Sequence, residues 1–344
     1  MTTQYLRNCS LVVAKSVGAG IELGKFRVVF EVKRGSQETP NSLDARIYNL
    51  APSTVSQLQA SSGAIPEFVQ VSLSVSYGTA PPARIFWGAI SQIRAGREDQ
   101  RNSYLDITAA DGDENYNFSV VSGTLAAGAT PMSHLQSLLA AMARSPVRGV
   151  LPTTFGPDGQ PVLAAYVPPV IKNDTTQSIR GRSYYGDVKD QLRQFAEDHD
   201  LRWSIQDGVP TFIPKTGYIP EAPVLITPST GLIGVPETTQ TGLRVRVLLN
   251  PAIKIGRLIK LQSTDINRLR YGLDLDSISD NLFSAQGATK VNADGLYLVY
   301  RVDHTGDTRG VPWYSDLTCL AVDASTIPQS VTASTVISGV VPRY

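Results

Sequence analysis

The sequence predicts a mainly β protein with an α+β insert, its two barrel-like β domains related by duplication. Three observations carry this. Apolar and polar residues alternate with period two in the first and last thirds of the chain. Helical spacing is confined to the middle. A stretch at 94–111 recurs in altered form at 304–321. A length of 344 residues calls for two or three domains. The divisions expected are a first β-barrel domain at 1–118, an α+β middle domain with an extended linker at 119–236, a second barrel domain at 237–324, and a C-terminal arm at 325–344.

In the first domain, FRVVFEVKR (26–34) and FVQVSLSVSYG (68–78) alternate cleanly. In the second run Val69, Val71, Leu73, Val75 and Tyr77 share one face, and Phe68, Gln70, Ser72, Ser74 and Ser76 the other, so one face is buried. LAPSTVSQLQAS (50–61) reads as a short helix entered at Pro52 or Ser53. ARIFWGAISQIRAGR (83–97) and SYLDITAADGD (103–113) form a hairpin with a long polar tip.

In the middle, TPMSHLQSLLAAMA (130–143) is a helix capped by Thr130, with Pro131 in its first turn. Leu135, Leu138, Leu139 and Met142 make its apolar stripe. Residues 145–183 suit short strands and loops. YYGDVKDQLRQFAEDHD (184–200) reads as a second helix burying Val188, Leu192 and Phe195. LRWSIQDGVPTFIPK (201–215) is a hairpin about Asp207-Gly208, the dipeptide a two-residue turn favours. Pro220, Pro223, Pro228 and Pro236 make 216–242 an extended connection. Strands resume in LRVRVLLNP (243–251), IKIGRLIKLQS (253–263), GLYLVYRVDH (295–304) and WYSDLTCLAVD (313–323). Residues 264–293 form a polar excursion, and 325–344 an arm that orders on a neighbouring subunit.

The recurrence pairs RAGREDQRNSYLDITAAD with HTGDTRGVPWYSDLTCLA. Gly96 and Asp106 are ten apart, as are Gly306 and Asp316, and each Asp opens an Asp-(Ile/Leu)-Thr triplet. This alignment sets Arg94 against His304 and Arg97 against Asp307.

Composition limits function. Apolar residues are 42% and charged residues 18%, below the usual ~25%. The formal net charge of +1 gives no electrostatic case for a nucleic-acid binder. The N-terminus lacks a signal-peptide core and no window reaches the ~18 apolar residues of a membrane span, so membrane insertion is not expected. Cys9 and Cys319 read as buried free thiols, without histidines at ligand spacing.

Asp303, His304 and Asp307 have the residue types of an acid/base site. Neighbours on a strand point to opposite faces, however, which separates Asp303 from His304. No Gly-x-Ser-x-Gly is present. Asp111, Asp113 and Glu114 mimic part of a calcium loop, but position twelve is Ser122 where glutamate is needed. No phosphate-binding glycine motif follows a strand. His134, Glu197, Asp198 and His199 read as surface groups. Trp313 and Tyr314 read as packing or interface residues. No catalytic, cofactor-binding, metal-binding or ligand-binding residue is assigned, and no cofactor is expected.

The order of IFWGAISQIRAG…YLDITAADGD (85–113), the helix and hairpin at 184–215, LNPAIKIGRLIKL (249–261) and GLYLVYRVDHTGDTRGVPWYSDLTCLAV (295–322) resembles the baseplate hub proteins of contractile-tailed bacteriophages. The likeness spans about residues 5–323. Its most telling motif is a strand entering His304-x-Gly306-Asp307, a short tip and Trp313; Asn250-Pro251 and Gly256 also fit. The resemblance implies two tube-like barrel domains per chain and a homotrimeric ring presenting six of them. Such a ring joins a sixfold tail tube protein to a threefold central spike protein beside other baseplate proteins. It implies passive contact with DNA in the lumen, release of the spike on sheath contraction, and assembly into a virion within the host cytoplasm. The hub of a tail-like bacteriocin or secretion particle would look the same. The competing expectations are a tail-associated peptidoglycan-degrading enzyme, whose turnover would be abolished by Asp307→Asn, and a glycan-binding β protein with Trp313 and Tyr314 as its platform.

Overall fold

The computed structural model describes residues 6–15, 20–59, 68–144, 153–155, 161–163, 169, 177–215, 217–239, 242–261 and 295–322. The expected polar excursion at 264–293 and the arm at 325–344 lie outside the described residues.

The first β region comprises β1 (Arg7–Lys15), β2 (Ile21–Glu22), β3 (Val28–Gly35), β4 (Asn41–Tyr48), the helix α1 (Pro52–Gln59), β5 (Phe68–Tyr77), β6 (Ala83–Arg97) and β7 (Ser103–Asp111). The insert follows with α2 (Asp113–Phe118), β8 (Val120–Leu125), α3 (Pro131–Arg144), β9 (Thr153–Phe155), β10 (Pro161–Leu163), β11 (Arg182–Asp187), α4 (Val188–Asp198), β12 (Leu201–Gln206) and β13 (Val209–Pro214). The second region holds β14 (Val224–Ile226), β15 (Leu232–Thr239), β16 (Gly242–Leu248), β17 (Leu258–Leu261), β18 (Leu296–Asp307) and β19 (Trp313–Ala321).

Alternation decides which face each strand buries. In β3 the inward residues are Val28, Phe30 and Val32; in β4 they are Leu43, Ala45 and Ile47; in β7 Leu105, Ile107 and Ala109. They join Val71, Leu73 and Val75 of β5 in one core. A second core lies in the insert, where the stripe of α3 meets Val188, Leu192 and Phe195 of α4 and Trp203 and Phe212 of the β12–β13 hairpin. A third gathers Val245 and Val247 of β16, Ile259 of β17, Val302 of β18 and Leu317 of β19.

The two β regions share one thirteen-stranded sheet, which curls as a half-barrel. Its main path runs β15-β16-β19-β18-β3-β4-β7-β6-β5-β1-β2. Within it, two five-stranded units repeat the same plan. In the first unit the order is β3-β4-β7-β6-β5; in the second it is β15-β16-β19-β18-β17. Both follow the same chain route, the fourth strand folding back between the fifth and the third. The expected duplication is thus visible in topology, and the units meet edge to edge where β18 pairs with β3.

Three local expectations need correction. Residues 184–187 are strand, not the start of a helix: β11 pairs with β8 over its whole length, and α4 begins at Val188. Tyr184 and Tyr185 suit a strand, and Gly186, at φ 109°, sits in a conformation a helix excludes. Residues 216–242 are not only an extended connection. They hold β14, which pairs parallel with β17, and β15, which pairs with β16. Pro236 is tolerated because β15 is an edge strand, where a missing N–H need break no ladder bond. In the described part of 253–263 the strand begins only at Leu258 and is seen to Leu261; turns precede it, with Gly256 at φ 82° and the Asn250 side chain accepting from the Ala252 N–H at 3.0 Å.

The insert docks through a polar latch. Arg34, Asn41 and Asp111 occupy inward positions at one end of their strands, so they are buried although polar. There they meet the β12–β13 turn, whose Asp207 (φ 53°) and Gly208 (φ 77°) both take left-handed backbone. The N–H groups of Asp207 and Gly208 donate to Asp111 Oδ2 at 2.6 Å and Oδ1 at 2.9 Å. Arg34 Nη2 donates to Asp207 Oδ2 at 2.9 Å, and Asn41 Nδ2 to the Ile205 carbonyl at 2.9 Å. Replacing Asp111 by Asn leaves one of these two buried N–H donors facing an amide NH2. The expected cost is about 1–3 kcal/mol in urea unfolding, with faster hydrogen exchange at Asp207 and Gly208.

Candidate assembly surface

The loop with the most reactive-looking residues is fixed for structure. His304 is buried, and its Nδ1 lies 2.7 Å from Ser315 Oγ, which is also buried. Burial, reinforced by the charge of Arg34, pushes its pKa down to about 3. Asp303 points to the opposite face and accepts from Arg301 Nε at 3.0 Å. The structure therefore does not bring Asp303 and His304 together. Asp307 accepts from Arg27 Nε at 3.3 Å and Nη2 at 2.7 Å, and from the Arg309 N–H at 2.9 Å. Burial opposes ionisation of Asp307, but these donors hold its pKa below the usual carboxylate range.

Trp313 packs edge-on against Phe30 at 5.6 Å between centroids and donates Nε1–H to Tyr77 Oη at 3.0 Å. Tyr77 in turn donates to the Leu249 carbonyl at 2.6 Å. Gly306 runs so close to Phe30 that an added Cβ would fall 2.3 Å from its ring. The His-x-Gly-Asp motif is thus a packing device between the two units.

Other sequence readings fare unevenly. His134 is buried rather than on the surface: its Nδ1 meets Tyr184 Oη at 2.5 Å and its Nε2 meets Ser178 Oγ at 3.0 Å. It falls on the inner face of α3, beside Leu135 and Leu138. Cys319 is buried and Cys9 half-buried; burial pushes both thiols up, Cys9 to about 12. Asp111 serves the latch. Among the described residues no His, Cys, Asp and Glu are grouped to hold a metal ion, and no helix is long and apolar enough to cross a membrane.

What sequence reasoning missed is a matched pair of clusters on the open face of the sheet. In the first unit Arg46 donates Nε–H and Nη2–H to Asp106 at 2.7 and 3.0 Å, and its guanidinium lies 4.1 Å over the Tyr104 ring. In the second unit Arg246 meets Asp316 at 2.6 and 3.0 Å and lies 4.5 Å over Tyr314. Each Arg faces its Asp across the same pair of strands, β4–β7 and β16–β19. Extending the Asp-(Ile/Leu)-Thr triplet by two residues to Tyr-x-Asp-(Ile/Leu)-Thr was the available signal. The Arg–Asp pair of each cluster lines a groove, of about 610 Å³ in the first unit and about 690 Å³ in the second.

The ladders also correct the alignment of the recurrence. Arg94 lies opposite Asp106, whereas Asp303, not His304, lies opposite Asp316. Gly96 lies opposite Tyr104, and Thr305 lies opposite Tyr314. The glycines at 96 and 306 are therefore one ladder step out of correspondence. Both long strands carry a bulge at the matching place, Ile90/Gln92 in β6 and Val299/Arg301 in β18.

Several strands of the sheet have, over part or all of their length, a partner strand on one side only among the described residues, β6 and β15 with them. β6 pairs with β5 only over residues 83–89, leaving 90–97 bonded on one side. β15 pairs only with β16, and it exposes Ile233 and Val235.

A duplicated, tube-like β unit with an α+β insert is a fold of phage tail proteins. The 43 kDa tail protein of prophage MuSo2 from Shewanella oneidensis matches it with a TM-score of 0.51 at 10% identity, over 94% of this chain and 99% of that one. The E. coli c3393 protein is described as a type VI secretion system component with structural similarity to T4 bacteriophage tail proteins gp27 and gp5. It matches with a TM-score of 0.51 at 14% identity, over 87% of this chain and 74% of its own. A tail protein from Neisseria meningitidis MC58 matches with a TM-score of 0.50 at 10% identity, over 92% and 96% of the two chains. No protein-family model and no curated protein matches the sequence.

The burial of neutral His304 has a pH signature. Below about pH 6.5 the unfolded chain binds a proton there that the folded chain refuses until about pH 3. The folded state therefore loses stability as pH falls through that window. Between pH 7 and 4.5, urea unfolding of the wild type should lose about 2–3 kcal/mol more than that of His304→Gln.

Proposed function

We propose that the chain is a structural hub of a tail-like particle, three copies forming a ring that joins a sixfold tube to a threefold spike. The observation that carries this reading is the repeated five-stranded unit within one continuous sheet. Two units per chain let three chains offer six equivalent docking positions, so a threefold partner and a sixfold partner can share one ring. The tail-protein fold of the structural neighbours supports the same reading. In it the chain divides into two tube-like units, an insert between them and a C-terminal arm, with β14 and β15 assigned to the second unit rather than to the linker expected at 216–236.

The chemistry supports a structural role over a catalytic one. The histidine and acids of the 302–318 loop are committed to packing and to ion pairs. The open face carries charges that are paired within it, Arg46 with Asp106, Arg246 with Asp316 and Arg301 with Asp303. A wall of this kind attracts a polyanion little, which suits passive contact with DNA moving through a lumen. The particle would be a virion tail assembled in the host cytoplasm.

The test is mass in solution, alone and with the neighbouring tail proteins. A mass of three chains that binds both tube and spike proteins is expected. A chain that stays monomeric and joins neither sinks the reading.

A further inference from the structure

A cleft of about 370 Å³ opens where the two units and the insert meet, large enough for a small ligand or a few side chains. The first unit lines it with Arg34 and Arg84, the insert with Asp207 and Val209, and the second unit with Pro251, Lys254 and Arg257. Ile219 and Glu221, from the stretch before β14, complete the wall. Two of the cations are committed within the protein. Arg34 Nη2 lies 2.9 Å from Asp207 Oδ2, and Arg257 Nε lies 2.8 Å from Glu221 Oε2. Arg84 and Lys254 are both exposed, and neither forms an ion pair among the described residues. Four cations against two acids leave the cleft with a surplus of two positive charges.

We propose that this cleft receives a short acidic segment of a partner protein, two carboxylates meeting Arg84 and Lys254 and an apolar side chain resting on Val209, Ile219 and Pro251. The lining selects the occupant. Uncompensated cations in a concave, partly apolar site favour anions, and a carboxylate gains more there than in open water. Arg84 and Lys254 come from different units, so one ligand satisfies both by carrying two acidic groups. Val209, Ile219 and Pro251 are half-buried and present apolar surface that a bare anion would leave uncovered. No aromatic ring lines the cleft for a base to stack on, which argues against single-stranded nucleic acid. A segment seated there touches both units and the insert at once, beside the latch of Arg34 and Asp207. All of these groups belong to one chain, so binding needs no ring and stands apart from the hub reading.

The probe is a fluorescein-labelled peptide repeating Glu-Glu-Leu, titrated with the full-length chain and followed by fluorescence anisotropy. Saturable binding is expected, weakening as salt rises. Arg84→Glu combined with Lys254→Glu should weaken it about tenfold or more, because two attractive contacts become repulsive. Arg97→Glu combined with Arg101→Glu, at the β6–β7 tip, makes the same change in net charge and should leave binding largely unchanged. All four residues are exposed, so both variants should keep the wild-type midpoint in urea. A peptide repeating Glu-Glu-Ser should bind severalfold more weakly than the leucine peptide. Absence of saturable binding, equal losses in the two variants, or binding retained by the Arg84 and Lys254 variant overturns the site. Equal affinity for the two peptides, or displacement by glutarate at a matched concentration of carboxylate, overturns the protein segment as its occupant. None of these outcomes bears on the mass of the ring.

Discussion

The antiparallel pairing of β18 with β3 is the contact on which the rest of the architecture depends. One strand serves two neighbours by dividing its length: residues 296–298 bond β17, and 301–307 bond β3. The bulge at Val299/Arg301 separates the two stretches. A bulge bends a strand and increases its twist, so it can release the strand from one partner and present it to the next. Around this seam the apolar contacts are shared. Trp313 and Leu249, from the second unit, lie in the core of the first. Arg27 and Asp307 tie the ends of the seam from opposite units. Two units that might have swung on a linker are instead one surface.

The insert is held by a different kind of force. Its own core closes on α3, α4 and the β12–β13 hairpin, and it meets the first unit at the polar latch rather than through a continuous apolar layer. Buried polar groups are costly unless every partner is present, so the latch favours a single docked arrangement. Arg34 illustrates this. Only 5% exposed, it reaches the Ile85 carbonyl, Gln206 and Asp207 at once. The insert is therefore oriented by hydrogen-bond geometry, which is directional, where the seam is set by ladder register and packing.

Much of this was legible in the sequence because strand alternation is a local signal. Val71, Leu73 and Val75 could be placed on a buried face without any tertiary information, and Asp207-Gly208 announces its turn. The partners of Arg46 and Arg246 were not legible, since each is sixty or seventy residues away. His134 looked exposed because a histidine in a helix gives no sign of a tyrosine fifty residues on. The prolines of 216–242 argued against strand pairing, but Pro236 falls where the β15 register shifts, in the last strand along the main path of the described sheet. The one-step slip in the recurrence has a physical cause: the β18–β19 tip is one residue longer, with Thr305 and Tyr314 nine positions apart where Gly96 and Tyr104 are eight. Gly306 is glycine because of Phe30, a constraint private to the second unit.

The matched arginine clusters have a hereditary side. In a ring built from a single-unit chain, every substitution would be printed at all positions around the circle. Arg46 and Arg246 are encoded separately, so in the proposed ring a change in one would reach alternate positions only. In that proposed ring the chain would keep a common wall with one half of its genetic text while the other half could drift toward a partner of lower symmetry.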